Sequence, residues 1–318
     1  MSNKEFILSN TRIIFCGTPL IASKILQTLL DLKANVIACI SQPDRELDRK
    51  KNIIFSETKK ITIDNNIKLF QPEKISTIYN EINELKPDLI ITCAYGQFIT
   101  ENILNIPKIG AINIHTSLLP ELRGGAPIHH AIIKNKSKTG VSLMKMIKKM
   151  DAGDILFQKE VEISSEDTYD DLYLKLMQTS SDMIKDHLHD IISENYIPIV
   201  QNENKVTFAL NIKLEETFIN FDKPSKEIYN LIRGLCSKPC AKINFNNSII
   251  KIWESEISNF ESNLKPGTIS NINKTGIYIA TKDYDICFKK IQLPSKKPAF
   301  ISDIINGNIF FKINDYLN

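Results

Sequence analysis

The feature that most constrains the fold is an alternation of short apolar runs with amphipathic stretches through the first two hundred residues. Residues 12–16, 36–40, 88–93 and 111–115 have the length and the β-branched content of buried strands. Residues 21–32 carry apolar side chains at every third or fourth position, as an amphipathic helix does. Strands separated by helices pair in parallel through right-handed crossovers. The sequence therefore predicts a doubly wound, mostly parallel, Rossmann-like α/β sheet.

The pattern of predicted elements changes after residue 215. A helix predicted at residues 225–235 is followed by short strands separated by turn signals, near residues 241–245, 249–253, 267–269, 276–280 and 285–293. Closely spaced short strands are typical of a small barrel. We therefore expect a first domain at residues 1–196, a linker at 197–215 and a small OB-like β-barrel domain at 216–318.

Bulk properties narrow the class of protein. The net charge is +3, and the surplus lies in residues 214–318, which hold 14 Lys and Arg against 11 Asp and Glu. The six cysteines are scattered and do not have the spacing of a zinc site. No run approaches the ~20 apolar residues that a membrane span needs. We expect a cytoplasmic protein without a membrane span or a metal site.

Two segments carry residues suited to catalysis. Asn113 and His115 stand two apart on a predicted strand, so both side chains point to one face at its carboxyl end. An apolar, proline-stiffened loop follows at residues 117–120, which could wall a flat ligand. Asp151 lies in a glycine-containing loop, M-D-A-G-D, between two further predicted strands. Taken singly, each of these residues could have a structural role instead.

The combination N-I-H-T-S-L-L-P-x-x-R-G-x-A-P-I, followed by M-D-A-G-D, resembles the signature of the folate-dependent formyltransferases. The resemblance implies that Asn113, His115 and Asp151 are the catalytic residues. It also implies that 10-formyltetrahydrofolate is the formyl donor and that no metal takes part. The residues expected against tetrahydrofolate are Ser117, Leu118, Leu119 and Pro120.

Two further regions bear on the acceptor. The charged insertion at residues 41–62 resembles the loop with which methionyl-tRNA formyltransferases enter the acceptor stem of their tRNA. The tRNA-binding residues that this implies are Arg45, Arg49, Lys50 and Lys51. In this chain Glu46-Leu47-Asp48 replaces the usual proline-small-glycine run. Residues 231–297 resemble the tRNA-binding domain of the same family. The implied partner is initiator methionyl-tRNA, formylated for translation initiation.

Three other readings stay open on the sequence. A formyltransferase acting on an amino-sugar nucleotide or another small amine would share the catalytic trio. An RNA-binding protein could keep a folate domain without catalysis, and a hydrolase could release formate by using water in place of the amine. We expect the chain to act as a monomer.

Overall fold

The computed structural model describes residues 3–45, 53–305 and 311–317. The helices are α1 (Asn3–Asn10), α2 (Leu20–Asp31), α3 (Glu57–Asp64), α4 (Tyr79–Glu84), α5 (Glu101–Leu104), α6 (Pro127–Ile133), α7 (Tyr169–Ile192), α8 (Ser225–Leu235) and α9 (Ile301–Ile304), with 3₁₀ turns at Ile75–Ile78, Glu203–Lys205 and Glu215–Thr217. The strands are β1 (Ile13–Gly17), β2 (Val36–Ile40), β3 (Lys68–Phe70), β4 (Leu89–Cys93), β5 (Gly110–His115), β6 (Lys138–Lys145), β7 (Ile155–Glu162), β8 (Ala241–Phe245), β9 (Ser248–Ile257), β10 (Ile269–Asn273), β11 (Gly276–Ile279), β12 (Ile286–Gln292) and β13 (Ala299–Phe300). They form two compact units.

The first unit comprises residues 1–127, 138–162 and 173–210. Its seven-stranded sheet has the order β3-β2-β1-β4-β5-β6-β7. The pairs from β3 to β5 are parallel, whereas β5-β6 and β6-β7 are antiparallel. The mostly parallel α/β sheet predicted from the apolar runs is therefore confirmed.

Burial explains why these runs form the centre of the sheet. Every residue of β1 and of β4 is buried, which is the pattern of a parallel strand covered on both faces. Helix α2 buries its apolar stripe, including Ile21, Ile25 and Leu29. Burying an isoleucine or leucine side chain contributes roughly 1.5–3 kcal/mol. The apolar residues that the sequence placed in strands therefore supply the main stabilisation of this unit.

The second unit comprises residues 128–137, 163–172 and 211–318. Its antiparallel sheet has the order β10-β11-β12-β9-β8, and β13 pairs with β12. Helix α8 buries Ile228, Ile232 and Leu235 in a core shared with these strands. The short, closely spaced strands predicted a small OB-like β-barrel domain here, and the structure confirms a C-terminal β domain built on an antiparallel sheet.

Two short segments from earlier in the chain pack on α8 within the second unit. His129 lies 2.8 Å through Nδ1 from the carbonyl oxygen of Gly234, and its ring stacks on Tyr169 with 4.0 Å between centroids. Arg233 is 5% exposed and donates to the carbonyl oxygen of Asp167 at 2.8 Å. These hydrogen bonds explain why residues 128–137 and 163–172 group with the C-terminal strands.

Residues 197–210 of the expected linker belong to the first unit and have defined partners there. Ile199 exchanges two backbone hydrogen bonds with Ile155, of 2.8 and 2.9 Å. Further along, Phe208 forms a parallel bridge with Arg123. Within residues 3–45, 53–305 and 311–317, no helix is long and apolar enough to span a membrane.

Candidate active site

The sheet of the first unit has a topological switch point at the carboxyl ends of its central strands, β1 and β4. The chain proceeds from β1 to β2 on one side and reaches β4 on the other, so the loops that follow β1 and β4 diverge. In open α/β sheets, ligands bind in the crevice outside the carboxyl ends of the strands at such a point. Strand β5 lies beside β4 and ends at His115.

Asn113 is oriented by the neighbouring strand. It faces Thr92 in the parallel register of β4 and β5, and Thr92 Oγ1 donates to Asn113 Oδ1 at 2.7 Å. Because the carboxamide oxygen accepts this bond, Nδ2 remains as the donor group of the side chain. The side chain is half-buried, two residues before the end of the strand.

His115 is 5% exposed and has different neighbours at its two ring nitrogens. Nε2 lies 3.0 Å from the carbonyl oxygen of Leu122. A carbonyl oxygen only accepts, so Nε2 carries a proton and donates. Nδ1 lies 3.8 Å from Asp151 Oδ1. Nδ1 is therefore the ring nitrogen that faces the carboxylate.

Asp151 reaches His115 from a strained loop. Its φ angle is 50°, in the left-handed region, and its Oδ2 accepts a hydrogen bond of 2.8 Å from the backbone nitrogen of Gly124. Gly153, in the same loop, is required because a Cβ there would lie 2.0 Å from the carbonyl oxygen of Lys145. The structure thus brings Asp151 to His115, on the strand that also carries Asn113.

The residues of the predicted folate loop, 117–120, differ in how deeply they are buried. Ser117 Oγ donates to the carbonyl oxygen of Glu121 at 2.6 Å, and its own carbonyl oxygen accepts from Ser142 Oγ at 2.6 Å. Leu119 is 3% exposed. Leu118 and Pro120 are half-buried. The two half-buried apolar side chains are therefore the ones available to a flat ligand, and contact of all four residues with folate stays a prediction.

The residues predicted to bind tRNA divide between described and undescribed positions. Arg45 forms an ion pair with Glu73, and the two side chains are 65% and 74% exposed. Arg49, Lys50 and Lys51 lie outside the described residues. The chain before them is held at Asp44, which forms a largely buried ion pair with Lys59 and accepts a hydrogen bond from Gln71 at 3.1 Å.

The thiols near the switch point are not nucleophiles. Burial raises the pKa of Cys93 to about 12, and burial also raises the pKa of Cys16 well above its ordinary value. Thiols with such pKa values stay protonated at neutral pH, and the thiolate is the reactive form. Among the described residues no group of three His, Cys, Asp or Glu side chains could hold a metal ion.

Sequence reasoning missed two residues that contact members of this trio. Thr92 is a polar residue in an otherwise apolar strand, and that contrast was a usable signal. Gln201 is 6% exposed and donates to the carbonyl oxygen of Asp151 at 2.9 Å. No local pattern identifies Gln201, because its partners are 48 or more residues away.

Comparisons with known proteins decide the family. The sequence model described as "Formyl transferase" matches residues 11–188, and "Formyl transferase, C-terminal domain" matches residues 211–308. The methionyl-tRNA formyltransferase of Malacoplasma penetrans is 46% identical over 98% of this chain and 98% of its own length. The chain belongs to the methionyl-tRNA formyltransferase family. Members of this family from Ureaplasma parvum and Staphylococcus aureus are 48% and 37% identical, each over 93% of this chain and 97% and 96% of their own lengths.

Solved structures with the same fold include a sugar formyltransferase and a protein that binds tetrahydrofolic acid. WlaRD, a sugar 3N-formyl transferase, superposes with a TM-score of 0.66 at 24% identity, over 90% of this chain and 99% of its own. HypX from Aquifex aeolicus, solved in complex with tetrahydrofolic acid, has a TM-score of 0.67 at 14% identity, over 98% of this chain and 51% of its own. At these identities the likeness shows the fold alone. The full-length relatives separate this methionyl-tRNA formyltransferase family member from the sugar enzymes.

Proposed function

We propose that this chain transfers the formyl group of 10-formyltetrahydrofolate to the free amino group of initiator methionyl-tRNA, giving N-formylmethionyl-tRNA for translation initiation. The observation that carries the proposal is the pair formed by His115 Nδ1 and Asp151 Oδ1, 3.8 Å apart, beside Asn113. Formyl transfer to an amine needs a donor for a developing oxyanion and a group that removes a proton. Membership of the methionyl-tRNA formyltransferase family supports the identity of both substrates.

The residues at the strand edge fit a formylated folate. Leu118 and Pro120 provide half-buried apolar surface close to Asn113 in the chain. Gly140 leaves room for this loop, since a Cβ there would lie 2.5 Å from Leu118 Cδ2. A flat pterin ring is held by apolar walls with a few placed polar groups. We infer that Ser117, Leu118, Leu119 and Pro120 form one wall of the folate site.

Each member of the trio has a separate task in the reaction that we propose. The bound folate supplies an activated formyl carbon, which the neutral amine attacks as the new C–N bond forms and the bond to N10 breaks. Asn113 Nδ2 donates to the formyl oxygen as negative charge develops there, an interaction typically worth ~10²–10³ in rate for one donor. His115 and Asp151 take the proton that leaves the amine and hold it for the departing N10 nitrogen.

The geometry of His115 suits this proton transfer. Its Nε2 is committed to the carbonyl oxygen of Leu122, so the ring is held in one orientation. The carboxylate of Asp151 faces Nδ1 and stabilises the positive charge when that nitrogen is protonated. The pair can thus accept and return one proton without a change in the rotamer of His115.

We further propose that Arg45, Arg49, Lys50 and Lys51 contact the acceptor stem. The ion pair of Arg45 with Glu73 is exposed, and such surface pairs contribute only about 0–1 kcal/mol. Arg45 can therefore exchange its carboxylate partner for a phosphate at little cost. Phosphate contacts by several basic residues make affinity fall steeply with salt.

We assign residues 1–196 to catalysis and folate binding, residues 197–215 to the connection, and residues 216–318 to tRNA binding. The two family models, which match residues 11–188 and 211–308, support this division. We infer that the protein acts as a monomer in the cytoplasm, where its tRNA and folate substrates are found. All six cysteines are free, as a reducing compartment would allow.

A radiolabel assay tests the function. The protein is incubated with 10-formyltetrahydrofolate labelled in the formyl group, with methionyl-tRNA(initiator), with a dTDP-amino sugar, or with no amine. We expect label in the tRNA fraction alone. Label in the amino sugar would establish the small-amine reading, and formate released without an acceptor would establish a hydrolase. The absence of any product, with tRNA bound, would establish a non-catalytic RNA-binding protein.

The salt dependence of the same assay separates the two transferase readings. Under the tRNA proposal, kcat/KM should fall linearly on a log–log plot as salt rises, because each phosphate contact releases counterions. A flat salt profile would favour a small-amine acceptor.

A further inference from the structure

We propose that Gln201 is a positioning residue that sets the distance between Asp151 and His115, acting from a strap formed by residues 199–209. This inference rests on the proposed function, because it assigns those two residues to catalysis. The strap lies in the region that the sequence indicated to be a linker. Its contacts instead connect the Asp151 loop to the three-residue segment at 122–124.

The segment at residues 122–124 contacts the catalytic residues directly. The carbonyl oxygen of Leu122 accepts from His115 Nε2 at 3.0 Å. The backbone nitrogen of Gly124 donates to Asp151 Oδ2 at 2.8 Å. Any displacement of this segment would therefore move His115 and Asp151 together. What holds the segment determines the separation of the two catalytic groups.

Gln201 joins this segment to the backbone on which Asp151 is carried. Its Oε1 accepts from Arg123 Nε at 3.0 Å and from Arg123 Nη2 at 2.7 Å. Its Nε2 donates to the carbonyl oxygens of Asp151 at 2.9 Å and Gly153 at 2.7 Å. Both ends of the carboxamide are used twice, and the side chain is 6% exposed. One buried side chain thus ties the 122–124 segment to the loop of Asp151.

The far end of the strap holds the same segment through its backbone. Thr207 Oγ1 accepts from the backbone nitrogen of Leu122 at 2.9 Å, and the carbonyl oxygen of Thr207 accepts from the nitrogen of Arg123 at 2.9 Å. The nitrogen of Ala209 donates to the carbonyl oxygen of Arg123 at 2.8 Å. The strap therefore contacts residues 122 and 123 at one end and the Asp151 loop at the other.

Close packing restricts movement of the strap relative to residues 122–124. Gly124 has a φ of 125°, and a Cβ at that position would lie 2.5 Å from the carbonyl oxygen of Ala209. The strap is thus pressed against the residue whose backbone nitrogen binds Asp151. The carboxamide of Gln201 is buried with both its oxygen and its nitrogen hydrogen-bonded, and such a group is costly to displace.

The expected consequence is on rate and not on substrate affinity. Gln201 binds catalytic-loop backbone and is not expected to touch folate or tRNA. A misplacement of about 1 Å in a catalytic group can cost ~10²-fold in rate. Loosening the strap should therefore lower kcat while the KM for each substrate changes little.

The variant Gln201→Glu tests this with minimal change in shape. A glutamate keeps acceptors for Arg123 but has no donor for the carbonyl oxygens of Asp151 and Gly153. We expect kcat for methionyl-tRNA formylation to fall by about 10–100-fold, with both KM values within about threefold of wild type. Asn204→Ala, an exposed position in the same strap, is the matched control and should retain wild-type kcat.

A second pair of variants changes Thr207, at the far end of the strap. Thr207 is exposed, so its replacement is less of a risk to folding. Thr207→Val removes the acceptor for the nitrogen of Leu122, and Thr207→Ser keeps it. We expect Thr207→Val to lower kcat and Thr207→Ser to restore most of it. Equal activity in the two variants would contradict a role for this hydrogen bond.

A double-mutant cycle identifies the residue through which Gln201 acts. In an Asp151→Asn background, measured by single turnover, Gln201→Glu should cost less than about threefold, because residues that act as a unit are strongly non-additive. The same loss in both backgrounds would overturn the proposal, as would unchanged kcat in Gln201→Glu. A lowered melting temperature with normal kcat would also overturn it and leave a purely structural role.

The wild-type assay keeps this result distinct from the function itself. If wild type formylated an amino sugar instead of methionyl-tRNA, the acceptor proposal would fail, and the same variants would be compared with that acceptor. We expect the loss of kcat with either acceptor, because Gln201 acts on the separation of His115 and Asp151.

Discussion

Thr92 Oγ1 donates a hydrogen bond of 2.7 Å to Asn113 Oδ1 across the parallel pair β4-β5. The bond holds the carboxamide so that Nδ2 is its remaining donor, the one that faces the formyl oxygen in the mechanism that we propose. Without it, the amide could rotate and present its oxygen instead. The orientation of Asn113 therefore depends on one hydroxyl group in the neighbouring strand.

Replacement of Thr92 should reveal this dependence. We expect Thr92→Val to lower kcat by roughly tenfold or more, below the ~10²–10³ that loss of a whole oxyanion donor costs. Thr92→Ser keeps the hydroxyl and is the matched control. Steady-state formylation of methionyl-tRNA is the measurement, and a Val variant as active as the Ser variant would refute the orienting role.

Removal of the imidazole should abolish most of the turnover. General acid–base catalysis by a positioned side chain typically contributes ~10²–10⁴-fold, so His115→Ala should lose at least that range in kcat. The fold should survive, which a melting curve and binding of 5-formyltetrahydrofolate will check. Near-normal turnover in a folded variant would remove His115 from the mechanism.

The basic loop should affect tRNA and leave folate alone. Good contacts from an arginine to nucleic acid are worth about 1–3 kcal/mol, so Arg49→Ala should raise the KM for tRNA by roughly 5–150-fold. Lys138→Ala, which removes an exposed lysine paired with Glu160, is the charge-matched control. If both variants showed the same tRNA kinetics, recognition would lie elsewhere in the chain.

Acid stability should report the ion pairs of the strap. Hydrogen bonds from Arg123 and then from Lys149 lower the pKa of Glu203 from its ordinary value of 4.5 to about 2. A depressed folded-state pKa stabilises the protein above pH 4.5, and this contribution is lost as the pH falls towards 2. The stability difference between wild type and Glu203→Gln should therefore shrink across that window.

Denaturation in urea at a series of pH values measures this change. The effect should be small, because the Glu203 side chain is 57% exposed and solvent screens its ion pairs. Glu160→Gln, which breaks one exposed ion pair with Lys138, is the control. A constant difference from pH 5 to pH 2 would show that Glu203 is not stabilised in its ionised form.

Much of the fold followed from local pattern. Strand β2 at Val36–Ile40, helix α8 at Ser225–Leu235 and strand β8 at Ala241–Phe245 have the predicted bounds. Their apolar periodicity matches the strand or helix repeat, so each element buries its apolar side chains and is stabilised by that burial. Strand β3 at Lys68–Phe70 was missed, because three residues at a sheet edge, one of them exposed, carry too little pattern.

The candidate site divides in the same way. The two-residue repeat of a strand already places Asn113 and His115 on one face, whatever the rest of the chain does. That repeat could not place Asp151. Its loop follows β6, which leaves β5 near Ala111, where the nitrogen of Met146 donates to the carbonyl oxygen of Ala111 at 2.8 Å. Only the path of that loop in three dimensions brings its carboxylate to His115.

By itself, the sequence determined which segments become strands and helices, and which polar residues share a strand end. The tertiary structure alone decided the distance from His115 to Asp151 and the bracing of that pair by Gln201. The physical reason is range. Periodicity acts over a few residues, whereas the hydrogen bonds of Gln201 join residues 48 to 78 positions apart and exist only once the cores have packed.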